Sequence, residues 1–170
     1  MMSRAELRVE LEEAGCVIVP MTEHDLLEVV EIEETTGLSQ WGWEAYRAEL
    51  EKHEAVMLVA RRNSPDAPSR RSLSGYIAAR INADELHVNN IGVWPESRQR
   101  GVGGALLGAA LEAAARRGAV GAVLEVRASN LPAQRMYERF GFRVVGTRKG
   151  YYREPVEDAK IMTRRLAPAA

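Results

Sequence analysis

Hydrophobic and polar residues follow two different patterns in the two halves of the chain. In the first half, short apolar runs between turn residues predict four strands, at residues 16–19, 55–60, 74–81 and 85–93. Apolar residues at helical spacing predict two helices among them, over residues 22–34 and 43–52. The loop that joins these two helices contains two tryptophans.

In the second half, strands and helices alternate. A glycine-rich segment leads into a predicted helix over residues 102–117, which Gly118 ends. The remaining predicted elements are a strand over residues 120–127, a helix over about 130–140, and two closing strands over 142–146 and 160–164. Because strand pairs come first and strand–helix units follow, the pattern predicts an α/β protein with a mixed, largely antiparallel sheet flanked by helices.

The composition is typical of one globular domain over residues 1–170, with 46% hydrophobic and 28% charged residues. The net charge of -1 provides no basic field, so neither nucleic acid nor a membrane is expected as a partner. No apolar stretch approaches the ~20 residues of a membrane span, and the charged N-terminus is unlike a signal peptide. We therefore expect a cytoplasmic protein, with residues 1–14 as an N-terminal extension of helical character.

Residues that commonly bind metals or act as nucleophiles are few. The single cysteine, Cys16, borders an apolar run, which indicates a buried structural thiol rather than a nucleophile. The three histidines have no metal-ligand spacing, so no metal is expected. The proline-rich stretch 61–71 is predicted to be a solvated loop, although its four arginines leave contact with an anionic partner open.

One segment has the composition of a phosphate site, and it consists of Arg98, Gln99, Arg100, Gly101, Val102, Gly103 and Gly104. A helix N-terminus carries unpaired N–H groups and partial positive charge, and glycines let a pyrophosphate approach them closely. The two arginines add charge-assisted contacts. No Gly-Lys-Ser/Thr ending of a P-loop is present, and Leu106 stands where a Rossmann fingerprint needs a glycine. The alternative is a glycine-rich turn that only allows close packing.

The same segment resembles a known family. The spacing Arg98-x-x-Gly101-x-Gly103 matches the Q/R-x-x-G-x-G/A signature of the GNAT acetyltransferase superfamily, and residues 90–95 resemble the central strand of that superfamily. The run Leu-Glu-Val-Arg-Ala-Ser-Asn at 124–130, followed by Tyr137 and the pair Tyr151-Tyr152, resembles the RimI-type enzymes that acetylate an N-terminal alanine of a ribosomal protein.

The resemblance is strong over residues 88–166 and weak over 17–62. It implies the GNAT fold, with the sheet splayed at the cofactor strands, and acetyl-coenzyme A as co-substrate. Besides the glycine-rich segment, the residues that it implies for acetyl-coenzyme A binding are Ile91, Gly92, Val93, Asn130 and Tyr137. A backbone N–H beside a strand bulge near Val93 is expected to polarise the thioester carbonyl.

The resemblance also implies direct acetyl transfer to an amine, with no covalent enzyme intermediate. Glu125, in an otherwise apolar strand, resembles the general base, and Tyr137 resembles the general acid that protonates the leaving thiolate. An N-terminal amine has a pKa of roughly 7.7–8.0, so a modest base suffices. Taken alone, Glu125 could instead pair with Arg127, and Tyr137 could be a core residue.

The acceptor side is matched more loosely. Trp41, Tyr151 and Tyr152 resemble substrate-binding residues, with simple packing as the alternative, and the paired tyrosines favour a peptide main chain. The expected acceptor is a protein or peptide N-terminus, with a ribosomal protein among the candidates, and the enzyme is expected to be a monomer or a weak dimer. Six acidic residues that could line the groove suggest a basic acceptor: Glu31, Glu33, Glu34, Glu154, Glu157 and Asp158.

Two other functions remain open at this point. One is a GNAT enzyme that acetylates a small-molecule amine or a protein lysine. The other is a non-catalytic module that only binds coenzyme A. The presence of both Glu125 and Tyr137 argues against the second, because a non-catalytic module needs neither.

Overall fold

The computed structural model describes residues 9–64 and 70–169. The strands are β1 (Val9–Leu11), β2 (Cys16–Pro20), β3 (Ala55–Arg62), β4 (Leu73–Asn82), β5 (Glu85–Val93), β6 (Gly121–Arg127), β7 (Arg143–Arg153) and β8 (Val156–Arg165). The α-helices are α1 (Leu26–Thr36), α2 (Gly42–Leu50), α3 (Val102–Arg116) and α4 (Leu131–Arg139). Over the described residues, no helix combines the length and the hydrophobicity that crossing a bilayer requires.

The eight strands form one mixed sheet in the order β1-β2-β3-β4-β5-β6-β8-β7. Only β5 and β6 run parallel, with α3 as the connection between them, and every other neighbouring pair is antiparallel. The parallel pairing stops early: residues 85–88 pair with residues 121–124, and beyond them the two strands separate. The sheet is therefore splayed between residues 89–93 and 125–127, as the family resemblance predicted.

Each face of the sheet has its own core. The larger core lies under α3 and α4 and includes Leu106, Leu107 and Tyr137. The smaller core lies under α1 and α2 and includes Tyr46, Tyr76 and Trp94. Among the described residues, no buried member of the smaller core comes from β6, β7 or β8. The face of these three strands on the side of α1 and α2 is therefore left uncovered by either helix.

The start of the first helix follows directly from its sequence. The backbone N–H of Thr22 donates to the Asp25 carboxylate at 2.8 Å, and the two residues form a capping box around a short 3-10 turn. The helix α1 continues from Leu26 and ends at Gly37, which has a φ of 68°. Apolar spacing therefore located this helix to within a few residues.

Three local predictions were wrong. Residues 9–11 are not helical but form β1, which pairs with β2, while residues 1–8 lie outside the described part. Arg61 and Arg62 belong to β3 rather than to a solvated loop, and Arg61 pairs with Asp25 at 2.9 Å. Residues 65–69 of that stretch also lie outside the described part.

The third wrong prediction concerns the last two strands, which are longer than the apolar pattern indicated. Gly150, which lies beyond the predicted strand 142–146, is within β7 with a φ of 61° at an irregularity in its pairing with β8. The hairpin turn follows at residues 154–155. Because β7 is an exposed edge strand, it has no apolar alternation from which its length could be inferred.

Candidate active site

The glycine-rich segment forms the N-terminus of α3. Gly101 is the N-cap, with a φ of 80°, and the first helical bond runs from the Ala105 N–H to the Gly101 carbonyl at 2.9 Å. The N–H groups of Val102, Gly103 and Gly104 therefore have no partner within the helix. No acidic residue lies in the first turn. The positive end of the helix dipole is thus available to an anion.

Three exposed residues precede this helix. Arg98 donates from Nε to the Val93 carbonyl at 3.3 Å, which ties the segment to the end of β5. Gln99 has a φ of 60° and completes the tight connection into the helix, beside the exposed Arg100. Two cationic side chains therefore lie next to the three N–H groups, which suits a pyrophosphate.

The glycines also fit the alternative prediction, in which they allow close packing. A Cβ at Gly103 would lie 3.3 Å from Met136 Sδ, and one at Gly104 would lie 3.2 Å from Phe140 Cε2, so α4 packs closely against this turn. Gly101 is different, because a Cβ there would meet nothing within 4 Å. Close packing therefore accounts for two of the three glycines, and the positive φ of Gly101 accounts for the third.

The predicted cofactor strand lies at the edge of the splay. Gly92 is buried against α1, where a Cβ would lie 2.7 Å from both Ile32 Cγ2 and Tyr76 Cε1. Ile91 and Val93 face the opposite way and pack on the core under α3. The bulge predicted near Val93 is wrong in position: the pairing of β4 with β5 shifts between Val88 and Asn90. The extra residue stands where β5 leaves β6.

Glu125 lies on β6, one residue past the last pair that β6 makes with β5. Its neighbours Leu124 and Val126 are buried under α3, so the Glu125 side chain points to the other, uncovered face and is 23% exposed. Arg148 approaches it, with 3.6 Å between Nη2 and Oε1. The predicted alternative of pairing with Arg127 is wrong, because Arg127 pairs with Glu157 at 3.4 Å.

Tyr137 lies on α4 and is only 8% exposed, with its ring edge-to-face against Phe142 at a centroid distance of 6.0 Å. The Tyr137 hydroxyl has no hydrogen-bond partner among the described residues. Every polar side-chain atom that is fully buried in that part of the chain does have a partner. The hydroxyl must therefore be at the solvent-accessible end of the side chain. Burial raises the pKa of Tyr137, and the nearby Tyr152 phenol raises it further.

Tyr152 contacts both Tyr151 and Arg127. The two tyrosine rings lie edge-to-face at 5.1 Å, and the Arg127 guanidinium lies 4.1 Å from the Tyr152 ring centroid. Burial raises the pKa of Tyr152 to about 12; Tyr151 and Glu125 also raise it, and Arg127 opposes the shift. Tyr152 is thus within electrostatic range of both Glu125 and Tyr137.

Asn130 has a structural role in addition to any contact with a ligand. Its Oδ1 accepts from the Ala133 N–H at 3.2 Å and so caps α4. Its Nδ2 makes no hydrogen bond with the described residues and can still donate. Across those residues no group of three His, Cys, Asp or Glu side chains is placed to hold a metal ion.

A family model described as "Acetyltransferase (GNAT) family" matches residues 26–142. The chain belongs to this family. It is 36% identical over 139 residues to the "Putative [ribosomal protein bS18]-alanine N-acetyltransferase" of Bacillus subtilis (strain 168), across 81% of this chain and 87% of that relative. The predicted likeness to RimI-type enzymes is thereby confirmed, and the protein is an acyltransferase. Enzymes of this family use acetyl-coenzyme A as the acetyl donor.

Solved structures agree on the fold. The crystal structure of the ribosomal-protein-S18-alanine N-acetyltransferase from Escherichia coli has a TM-score of 0.77 and 26% identity, over 90% of this chain and 95% of that one. Arabidopsis thaliana NAA60 in complex with acetyl-CoA has a TM-score of 0.77 at 23% identity, over 88% of this chain and 97% of that one. The GNAT fold of this chain is confirmed.

Trp41, which the sequence predicted on the acceptor side, lies in the loop between α1 and α2. Trp41 stacks on Tyr46 with ring centroids 5.3 Å apart. Trp41 also lines a pocket of about 210 Å³ together with Arg80, Asn82 and Asn89. Val88 and Leu124 are the last residues that pair between β5 and β6. Asn89 and Glu125 directly follow them, so the pocket lies beside the splay.

The acidic groove proposed from the sequence is only partly available. Glu33 is buried and accepts hydrogen bonds from Tyr46 Oη and the Gly42 N–H, so it does not line a groove. Glu157 accepts from the Ser129 N–H at 2.6 Å, and hydrogen bonding by the Ser129 side chain and by this N–H lowers the pKa of Glu157. Asp158 accepts from the Gly150 N–H at 2.8 Å. Of the six residues, Glu31 and Glu34 remain exposed on α1, and Glu154 is exposed in the β7–β8 turn.

Sequence reasoning missed four residues of this region. Asn89 and Arg80 line the pocket, Arg148 pairs with Glu125, and Asn90 is buried beneath the helix layer. A signal for Asn90 was present, because two asparagines in succession stand between the apolar residues Val88 and Ile91 of one strand. No local pattern could have identified Arg148, since its contact depends on the pairing of distant strands.

Proposed function

We propose that this enzyme transfers the acetyl group of acetyl-coenzyme A to the N-terminal amine of a protein or peptide. The observation that carries the proposal is the position of Glu125, on the uncovered face one residue beyond the point where β5 and β6 part. The Tyr137 hydroxyl is solvent-accessible, and Tyr152 is in electrostatic range of both. The proposed base therefore lies where the two strands part, and Tyr152 links it electrostatically to the proposed acid.

The donor would be held by the cofactor half of the sheet. The N–H groups at the start of α3, with Arg98 and Arg100, suit the pyrophosphate. The pantetheine arm would lie in the splay, along Ile91, Gly92 and Val93 on one side and Asn130 on the other. Acetyl-coenzyme A supplies an activated thioester there. The backbone of β5 beyond its bulge has no pairing with β6 and can offer an N–H to the thioester carbonyl.

The chemistry requires two proton movements. Glu125, acting through a water molecule, removes a proton from the acceptor amine as the nitrogen attacks the carbonyl carbon. The C–N bond forms, the C–S bond breaks, and the electron pair goes to sulfur. Tyr137 donates its hydroxyl proton to the thiolate and is then reprotonated from solvent. Its raised pKa keeps that proton in place until a thiolate is generated beside it.

The acceptor proposed is the N-terminal alanine of a ribosomal protein. The B. subtilis relative is named for N-acetylation of an alanine of ribosomal protein bS18, and the E. coli structure for N-acetylation of an alanine of ribosomal protein S18. The pocket beside Trp41 and the uncovered face of β6, β7 and β8 offer room for an extended chain end. Free α-amines are also neutral in a larger fraction than lysine amines near pH 7, so a single carboxylate base suffices.

The test is acetyl-coenzyme A turnover, followed by thiol release, on short peptides. We expect activity on peptides that start with Ala or Ser and none on the same peptides with a blocked N-terminus. An N-terminally blocked peptide with a free lysine is the matched control. Activity on the lysine peptide alone, or on small amines alone, would contradict the N-terminal assignment and leave the cofactor site intact.

A further inference from the structure

A buried polar cluster lies between the helix layer and the sheet, and none of the steps above uses it. It consists of Glu33 on α1, Tyr46 on α2, Tyr76 on β4 and Asn90 on β5, all almost fully buried. We call these four residues the Tyr46 cluster. Buried polar groups cost free energy unless they are hydrogen-bonded, so such a cluster persists only when it is satisfied internally.

Tyr46 is the centre of the cluster. Its hydroxyl donates to Glu33 Oε2, shares a hydrogen bond of 2.8 Å with the Tyr76 hydroxyl and accepts from Asn90 Nδ2 at 3.0 Å. Burial raises the pKa of both tyrosines, so both keep their protons over the working range of pH. In the described part of the chain, no fully buried polar side-chain atom lacks a partner.

The cluster holds the loop between α1 and α2 against the sheet. Glu33 Oε1 accepts from the Gly42 N–H at 3.2 Å, and Asn90 Nδ2 donates to the Ser39 carbonyl at 3.1 Å. Trp41, between these two points, stacks on the Tyr46 ring. Hydrogen bonds therefore hold the loop at its middle residue, Ser39, and at the start of α2, and ring stacking holds it at Trp41 between these two points.

Asn90 also belongs to the strand irregularity beside the splay. Asn89, the residue before it, lines the same pocket as Trp41. One wall of that pocket thus comes from the loop and another from the bulged strand, and the amide of Asn90 joins the two. Asn90 itself does not line the pocket and is buried beneath it.

We propose that Asn90 is a positioning residue, which holds Trp41 and the α1–α2 loop in the geometry that binds the acceptor. The inference rests on the proposed function in one respect, namely that the Trp41 side of the sheet is the acceptor side. The cofactor segment at the start of α3 lies in the other helix layer. Loss of the Asn90 amide therefore changes acceptor binding and leaves acetyl-coenzyme A binding unchanged.

The test compares Asn90→Ala with Tyr76→Phe in the full-length protein. Both changes remove one buried member of the cluster, but only Asn90 bonds to the loop, so Tyr76→Phe is the matched control. For Asn90→Ala we expect the acceptor KM to rise about five- to tenfold, the effect of one hydrogen bond. The acetyl-coenzyme A KM should change less than about twofold. Tyr76→Phe should leave both constants within about twofold of the original protein.

Hydrogen exchange supplies a readout that needs no acceptor. In Asn90→Ala, the amides of residues 38–42 should exchange at least about tenfold faster, while those of α3 stay unchanged. If the protein acetylates no peptide, the proposed function fails, and exchange still tests whether Asn90 holds the loop. If Asn90→Ala does not fold, Asn90→Leu, which has a similar side-chain size but lacks the Nδ2 donor, replaces it. Unchanged loop exchange, or faster exchange with an unchanged acceptor KM, would overturn the proposal.

Discussion

Glu125 and Tyr137 show how the fold gives two polar residues different environments. Glu125 lies on an open face and has Arg148 as its ionic neighbour, whereas Tyr137 is buried up to its hydroxyl. A partly exposed carboxylate suits a base, and a phenol with a raised pKa suits an acid that must not lose its proton early.

Replacing Tyr137 with phenylalanine tests this assignment. The ring and its contact with Phe142 remain, and the hydroxyl has no hydrogen bond to lose among the described residues, so the stability should be nearly unchanged. We expect kcat to fall by about 10²-fold or more, because the thiolate must leave unprotonated. Thiol release measures kcat, and titration calorimetry should give an unchanged affinity for coenzyme A.

The pH profile is the second readout for Tyr137. Because its pKa is raised above the ordinary value of about 10, the hydroxyl stays protonated at all lower pH and its contribution is lost only above the raised value. The kcat of the original protein should therefore show no alkaline decline up to about pH 9.5. A decline near pH 8, or a Tyr137→Phe variant with kcat within threefold of the original, would rule out this role.

At the scale of single residues, strand alternation indicates which way a side chain points but not what it contacts. The alternation around Glu125 correctly implies that it points away from the core that holds Leu124 and Val126. Its partner Arg148 lies on β7, two strands away, and reaches it only because β8 pairs with both β6 and β7. That register includes two irregularities, which no spacing rule predicts.

Helix α3 offers a matched pair of glycines for testing the cofactor site. Gly101 before the helix and Gly118 after it have φ values of 80° and 89°, and a Cβ at either would meet nothing within 4 Å. An alanine at either position should therefore cost only backbone strain, about 1 kcal/mol in the free energy of unfolding. The two changes should lower Tm by about the same few degrees.

Only Gly101→Ala should affect the cofactor. The change disturbs the N–H groups at the start of α3, whereas Gly118 is at the opposite end of the helix. We expect the dissociation constant of coenzyme A to rise several-fold for Gly101→Ala and to stay within twofold for Gly118→Ala. Equal effects on coenzyme A from both variants would mean that helix stability, and not the N-terminal geometry, governs binding.

Strands and helices were predictable from the sequence where the burial of a face left a pattern of apolar residues. The strand β5 was located to the residue, because apolar residues recur along it between the turn at residues 82–84 and Pro95. The strand β1 was missed, since three residues are too few to show alternation and its existence depends on pairing with β2. The Tyr46 cluster was also missed, because a buried Glu33 on α1 resembles a surface residue in the sequence.

The whole molecule is divided by charge along the same line that divides the sheet. Residues 1–97, which include β1 to β5 and α1 to α2, contain 18 acidic and 9 basic residues. Residues 98–170, which include α3, α4 and β6 to β8, contain 6 acidic and 14 basic residues. The nearly neutral total hides this separation, and the splay between β5 and β6 lies at the boundary.

The separation leads to a prediction about both substrates. The anionic donor meets the basic half at the start of α3, while an acceptor approaching past Trp41 meets the acidic half. Raising the salt from about 50 mM to about 0.5 M should raise the acetyl-coenzyme A KM several-fold, because screening shortens the reach of these charges. At low salt, an Ala-starting peptide followed by lysines should have an acceptor KM at least about threefold below that of its glutamate counterpart.

The high-salt condition makes this prediction specific to charge. If long-range attraction from the acidic half is responsible, the difference between the lysine and glutamate peptides should largely disappear at about 0.5 M salt. A difference that persisted there would instead indicate direct contacts with individual side chains in the groove. Equal KM values for the two peptides at low salt would show that the exposed carboxylates on α1, including Glu31 and Glu34, do not attract the acceptor.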